Sequence, residues 1–196
     1  MTISDLKYIQ GLDLYLLDQI LKGRLNTDLK VLDAGCGSGR NFVVLQQLAF
    51  NITGFDSNDD AIQSLKNQYP NCKEQLISSS IEDFPNGKKY DYVIANAVLH
   101  FAKSHNHFEI LFDKLVRLLK PNGQLFIRMT SNLAVNKSFK VNDDGIAYLP
   151  DNTFRYLLEN NILDKLIRKH SLVLVEPIKT INVSDMRCMS TIILQS

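Results

Sequence analysis

Val31-Leu32-Asp33-Ala34-Gly35-Cys36-Gly37-Ser38-Gly39-Arg40-Asn41 is the stretch from which the fold is read. Lys30 to Ala34 has the short apolar run of a buried strand, and Arg40 to Ala49 opens a helix. Between them, glycines stand at every second position. A strand that turns into a helix through glycines lets the backbone come close to a ligand, because no Cβ intervenes. A dinucleotide fingerprint, G-x-G-x-x-G, asks for a glycine where Arg40 stands. Asp33 also puts a carboxylate at the strand end, two residues before the first glycine. In a partly dry cleft such a group favours a ligand carrying positive charge and hydroxyls over a pyrophosphate. The plain alternative is a glycine turn closing an ordinary strand–helix unit.

Outward from this loop, the chain keeps alternating. Ser4 to Leu25 has helical spacing, with Leu6, Ile9, Leu12, Leu16, Ile20 and Leu21 near one stripe, Ser4 at the cap and Gly11 as a weak point. Asn51 to Asp56 reads as a second strand, Asn58 to Gln68 as a helix and Lys73 to Ile77 as a third strand. Pro85-Asn86-Gly87 is a turn, and Tyr90 to Ala95 is a fourth strand. Phe108 to Leu119 repeats Ile110, Leu111, Leu115, Leu118 and Leu119 at helical spacing and stops at Pro121-Asn122-Gly123. Gln124 to Thr130 is a fifth strand, and Asn160 to Lys169 is a helix. Leu172 to Val183 and Met186 to Leu194 read as two long strands joined at Ser184-Asp185. Strands alternating with helices predict an α/β doubly wound, mostly parallel sheet with helices on both faces, and the terminal pair adds an antiparallel component.

The chain of 196 residues suits a single domain, 1–196. Its net charge of +1 gives no electrostatic ground for a nucleic-acid partner. Cys36, Cys72 and Cys188 are odd in number and widely spaced, so they predict no disulfide framework and suit a reducing, cytoplasmic setting. The amino terminus lacks a signal-peptide pattern, and no apolar run is long enough to span a bilayer. His100, His105 and His107 lie near one another without partners at ligand spacing, so no metal site is expected.

Asp33, Gly35, Gly37 and Gly39 together resemble motif I, D-x-G-x-G-x-G, of the class I methyltransferases. The likeness in element order extends over nearly the whole chain. It implies a Rossmann-like, seven-stranded sheet of order 3-2-1-4-5-7-6 with the last strand antiparallel, and S-adenosylmethionine as cofactor. Gly39-Arg40-Asn41 adds a narrower resemblance to the tellurite-resistance methyltransferases of the TehB type. The loop Asp33, Gly35, Cys36, Gly37 and Gly39 would then hold the cofactor. Asp56, at the end of the second strand, would accept both ribose hydroxyls beside Ser57. An alternative role for Asp56 is to cap the following helix. Ser80 and Ile81 stand where many members carry Asp-Ala facing the adenine. A hydroxyl thus replaces the usual carboxylate, with Glu82 or Asp83 in reach. Asn96 aligns with a position whose carbonyl faces the methionine amine. After it, Ala97-Val98-Leu99-His100 is neither the box of amino-nitrogen methylating enzymes nor a Pro-Cys nucleophile, which counts against nucleic-acid base substrates.

Methyl transfer from a sulfonium is an in-line displacement that needs orientation more than a strong base. His100 is the candidate general base, against the alternative of a packed histidine. The acceptor is expected to be a small molecule. The connection 132–160 after the fifth strand is long enough for a lid, and 1–25 forms an amino-terminal helical cap. Ser138 to Val141 and Ile146 to Leu149 predict a hairpin with Asp144-Gly145 at its turn. Its Tyr148 would face the acceptor, along with Arg187 at the start of the last strand and Arg128 near the end of the fifth. The two arginines favour an anionic acceptor, unless they pair with surface carboxylates such as Asp185. The rival function is a non-catalytic protein that binds the cofactor or serves as a scaffold.

Overall fold

The computed structural model describes residues 9–133, 135 and 139–196. In chain order its elements are α1 (Leu14–Leu21), β1 (Lys30–Ala34), α2 (Arg40–Gln47), β2 (Asn51–Asp56), α3 (Asp59–Gln68), β3 (Leu76–Ser78), β4 (Tyr90–Asn96) and α4 (His105–Arg117). There follow β5 (Leu119–Thr130), β6 (Ile146–Leu149), β7 (Thr153–Tyr156), α5 (Asn160–His170), β8 (Val173–Leu174), β9 (Lys179–Val183) and β10 (Arg187–Gln195). The main sheet has the order β3-β2-β1-β4-β5-β10-β8, with β9 also paired to β10. Strands β1 to β5 are parallel, and β10 runs antiparallel to β5. With β8 and β9 sharing the sixth place and β10 the seventh, this is the expected order.

The alternation of the strands explains why helices cover both faces. Successive side chains of a strand point to opposite sides. Leu32, Val93, Leu125 and Ile127 pack with Phe108, Phe112 and Leu115 of α4 and with Leu163 and Leu166 of α5. Their neighbours Val31, Tyr92, Ile94 and Phe126 pack on the other face with Leu16, Phe42, Leu45 and Ile62, which come from α1, α2 and α3. Each of these fully buried apolar side chains stabilises the fold by about 1.5–3 kcal/mol relative to exposure. The two cores together hold the carboxyl ends of β1, β2, β4 and β5 along one edge.

Several boundaries differ from the sequence reading. Asp13 caps α1 by accepting the Tyr15 amide, and Gly11 has a positive φ of 94°, so the helix is confined to Leu14–Leu21. The expected positions Ser4 and Leu6 lie outside the described residues. Pro70 opens a 3-10 segment, Pro70–Gln75, so β3 starts later, at Leu76. Ser104 caps α4 through the His107 amide, and the helix therefore begins at His105 rather than Phe108. Beyond it, β5 already pairs with β4 at Leu119 and carries Pro121-Asn122-Gly123 within an irregular start. The expected long strand Leu172–Val183 is two short ones. Pro177 has no amide to donate, and Glu176 turns aside to Lys22, Arg24 and Lys179 at 2.7–2.8 Å, fastening α1 to this edge.

The hairpin after β5 uses a different pair of strands. Ile146–Leu149 pairs with Thr153–Tyr156, not with Ser138–Val141, of which Ser138 lies outside the described residues. The turn is Pro150-Asp151-Asn152. Asn152 takes the left-handed conformation at φ 61°, and Asp151 accepts the Thr153 amide at 3.2 Å. Asp144-Gly145 forms a separate turn leading in, held by the Asn142 side chain on the Asp144 and Ile146 amides. This excursion leaves the sheet at Ser131 and returns beside it, where Ser131 and Leu158 form a parallel bridge.

Candidate cofactor and acceptor site

The turn from β1 to α2 lies across the end of β2. Gly35 and Cys36 both donate their amides to the Phe55 carbonyl at 2.9 Å, which folds the chain back on the neighbouring strand. The three loop glycines have positive φ, from 54° at Gly37 to 84° at Gly39. A Cβ on Gly35 would stand 2.5 Å from Val98, and one on Gly39 would stand 2.6 Å from Leu65. At Gly37 a Cβ would meet nothing within 4 Å, because that glycine faces open space. Cys36 contributes backbone only. Its side chain is packed in the core against Gly54, and burial pushes its thiol pKa up.

That open space is a cleft of 460 Å³. Gly35, Gly37, Asp56, Ser57, Ser80 and Ile81 line it, all expected cofactor residues. Asp56 accepts the Gly37 amide at 2.7 Å through one oxygen and the Asn58 amide at 2.9 Å through the other. The cap of α3 is Asn58, whose side chain accepts the Ala61 amide. Ser80 holds its own turn by donating to Asp83 at 2.7 Å and accepting the Asp83 amide. Glu82 pairs with His107 at 2.9 Å along the same wall.

Behind the cleft, buried polar atoms stand without partners. They include one carboxylate oxygen of Asp33, both side-chain polar atoms of Asn96 and Nδ1 of His100. Unpartnered atoms also occur elsewhere in the sheet, at Tyr90, Tyr92, Gln124, Arg128 and Thr191, but those of Asp33 and Asn96 stand at the ends of β1 and β4, beside the glycine loop. Burial raises the Asp33 carboxyl to about 7, with the Asp56 charge adding and Arg40 opposing. A cation beside Asp33 would supply the missing partner. The glycine cradle, the orphan carboxylate and the free lone pairs of Asp56 fit the ammonium, sulfonium and ribose of S-adenosylmethionine. Among the described residues no group of three His, Cys, Asp or Glu side chains is placed to hold a metal ion.

The remaining expected residues fall into two places. Arg128 lies on the α1 side, 3.4 Å from Asp13 and 5.4 Å from the Tyr15 ring. Asp13 also meets Arg40 at 3.5 Å and donates its amide to Asn41, so the segment before α1 is fastened over the start of α2. On the other side are His100 and Arg187. His100 lies in the 3-10 turn Leu99–Phe101 after β4 and is 7% exposed. Burial, then Arg155 and Arg187, lower its pKa to about 4, so it is neutral at pH 7. Arg187 pairs with Asp151 of the hairpin turn at 2.7 Å rather than with Asp185, so both arginines, Arg128 on Asp13 and Arg187 on Asp151, have the carboxylate partners of the alternative reading. Tyr148 donates its hydroxyl to Asn152 and packs on Phe154. Sequence reasoning missed Phe101, which lines the cleft, and Arg155, whose guanidinium lies 4.8 Å from the Phe101 ring centre. No local motif marks either residue, and β7 meets the 3-10 turn only in three dimensions.

A family model described as a methyltransferase domain matches residues 8–172. Trans-aconitate 2-methyltransferase of Escherichia coli is 36% identical over 104 residues, which cover 52% of this chain and 39% of that protein. The chain thus spans well under half the length of the curated relatives it matches. Magnesium protoporphyrin IX methyltransferase (ChlM) from Synechocystis PCC 6803, solved with bound SAM, superposes with a TM-score of 0.70 at 15% identity, over 96% of this chain and 79% of that one. TehB from Haemophilus influenzae gives 0.65 at 18% identity, over 91% and 61%. At these identities the superpositions show the fold.

Proposed function

The chain belongs to the class I S-adenosylmethionine-dependent methyltransferases, and on that basis we propose that it transfers a methyl group from this cofactor to a small anionic acceptor. The observation that carries the reading is the cradle around Gly37, which opens on a cleft bordered by Asp56 and backed by Asn96 and by one unpartnered oxygen of Asp33. The cofactor supplies the electrophile, a methyl group on a sulfonium that leaves as a neutral thioether. The protein's part is placement. Asp56 and Ser57 take the ribose, Ser80 and Ile81 border the adenine end, and Asp33 faces positive charge. The backbone of Gly35, Cys36, Gly37 and Gly39, with Asn96, sets the methionine end.

The hairpin and the segment before α1 flank the strand ends and exclude water from the transfer. Arg128 and Tyr148 act through them, by fastening Asp13 and Asn152. His100 is the candidate proton acceptor; the burial that keeps it neutral at pH 7 also makes it a weak base, so it suits only a nucleophile that gives up its proton easily. Arg187 already has the Asp151 carboxylate as its partner, so the support for an anionic acceptor is the likeness to an enzyme named for trans-aconitate.

Calorimetry with S-adenosylhomocysteine and NAD tests the cofactor. The homocysteine compound should bind and NAD should not, and the reverse order would overturn the reading. A screen with labelled methyl donor over small carboxylates, trans-aconitate among them, tests the acceptor. Tight cofactor binding without turnover on any of them would favour the non-catalytic alternative.

A further inference from the structure

We propose that Arg155 and Arg187 form a carboxylate-binding subsite at the mouth of the cofactor cleft, with Arg155, carried by the hairpin, as the residue that grips the acceptor. This rests on the methyltransferase reading for the identity of the neighbouring cleft. Phe101 links the two places: it lines the cleft, and its ring carries the Arg155 guanidinium at 4.8 Å. His100 packs edge-on to the same ring at 4.6 Å. Arg187 enters from β10, whose start lies beyond the carboxyl end of β5 because Met189 is in register with Thr130.

The charges around this point do not balance. Arg187 is paired with Asp151. Arg155 donates to the Phe154 carbonyl at 2.7 Å, and among the described residues no carboxylate stands within ion-pair distance of it. One guanidinium is therefore uncompensated. Stacking covers the face of the Arg155 guanidinium but leaves edge donors in the planar fork that suits a carboxylate. A single carboxylate matches both the geometry and the one missing charge. His100 lies beside this pair as a buried ring with an unpartnered Nδ1. The depression of its pKa by Arg155 and Arg187 agrees with both charges reaching it.

The test uses the full chain saturated with S-adenosylhomocysteine and titrated with succinate and tricarballylate, their amides serving as uncharged controls. Binding is read by calorimetry and by the His100 imidazole resonances. At least one carboxylate should bind and raise the His100 pKa, while the amides do neither. Arg155→Gln should weaken that binding tenfold or more and leave S-adenosylhomocysteine affinity unchanged. Asp151→Asn, which removes the compensating charge, should strengthen it several-fold. Opposite signs from two neighbouring variants are not what general loosening of the hairpin would give. If neither carboxylate binds, or if Arg155→Gln binds as wild type does, the subsite is wrong even though the cofactor reading stands. Failure to bind S-adenosylhomocysteine would instead overturn the cofactor reading.

Discussion

Gly37 donates its amide to the Asp56 carboxylate at 2.7 Å, so the glycine loop is fastened to the end of the neighbouring strand. Each Asp56 oxygen accepts one backbone amide and keeps a free lone pair, which the proposed ribose contact would use. The cap of α3 belongs to Asn58. Asp56→Ala should therefore lose charge-assisted hydrogen bonds worth about 1.5–3 kcal/mol of cofactor binding. That corresponds to a roughly ten- to hundredfold weaker S-adenosylhomocysteine affinity by calorimetry. The thermal midpoint should move little. Unchanged affinity would confine Asp56 to fixing the loop.

The loop glycines should separate folding from binding. Gly39→Ala places a methyl 2.6 Å from Leu65 at a φ of 84°, so strain and overpacking act together. A loss of about 2–4 kcal/mol in denaturant unfolding is expected. Gly37→Ala meets nothing within 4 Å and bears only the left-handed backbone cost, about 1 kcal/mol. Its methyl projects into the cleft, so it should abolish cofactor binding while the protein stays folded. A Gly37→Ala protein that binds as tightly as wild type would place the cofactor elsewhere.

Asp33 should couple cofactor binding to protons. Its folded-state pKa is raised from 3.8 to about 7, chiefly by burial. Between those values the folded state holds a proton that the unfolded chain has lost. This group's contribution to stability therefore falls as pH rises through the window and is constant above it. A cofactor cation favours the ionised carboxylate, so binding below pH 7 should release a proton, and affinity should rise with pH up to about 7. Calorimetry in two buffers of different ionisation enthalpy measures the release. Asp33→Asn should show none from this group.

What was legible in the sequence was local. The glycine loop, the strand ends at Ala34 and Asp56 and the stripe of α4 are set by neighbouring residues, so a single stretch reveals them. The surroundings of the cleft depend on pairs brought together from a distance, Arg155 on Phe101 and Arg187 with Asp151 on the proposed acceptor side and Arg128 with Asp13 on the α1 side. Spacing does not encode these pairs. The hairpin was displaced because two turn signals compete. Asp144-Gly145 has the familiar dipeptide, yet the strands close around Asp151-Asn152, where Asn152 accepts a left-handed conformation and Asp151 holds the Thr153 amide. The apolar run Leu172–Val183 reads as one strand by pattern, but Pro177 removes an amide from its middle and divides it.

His100 supplies the last test. Its folded-state pKa is lowered from 6.5 to about 4 by burial, then by Arg155 and Arg187. Within that window the unfolded chain takes up a proton that the folded ring refuses. Stability from this group is fully present above pH 6.5 and is lost as pH falls toward 4. A shift of this size is worth at most about 3 kcal/mol. Chemical unfolding at pH 7 and pH 4.5 should show this loss in wild type. In His100→Gln, which cannot take up the proton, the difference between the two pH values should be smaller, and titrations common to both proteins cancel in the comparison. Arg155→Gln removes one of the charges that depress the ring, so its acid loss should fall between the two. Equal pH dependence in wild type and His100→Gln would mean that the ring ionises as freely in the folded protein as in the unfolded chain. It would then be solvated at neutral pH rather than held as a buried neutral group at the edge of the proposed acceptor site.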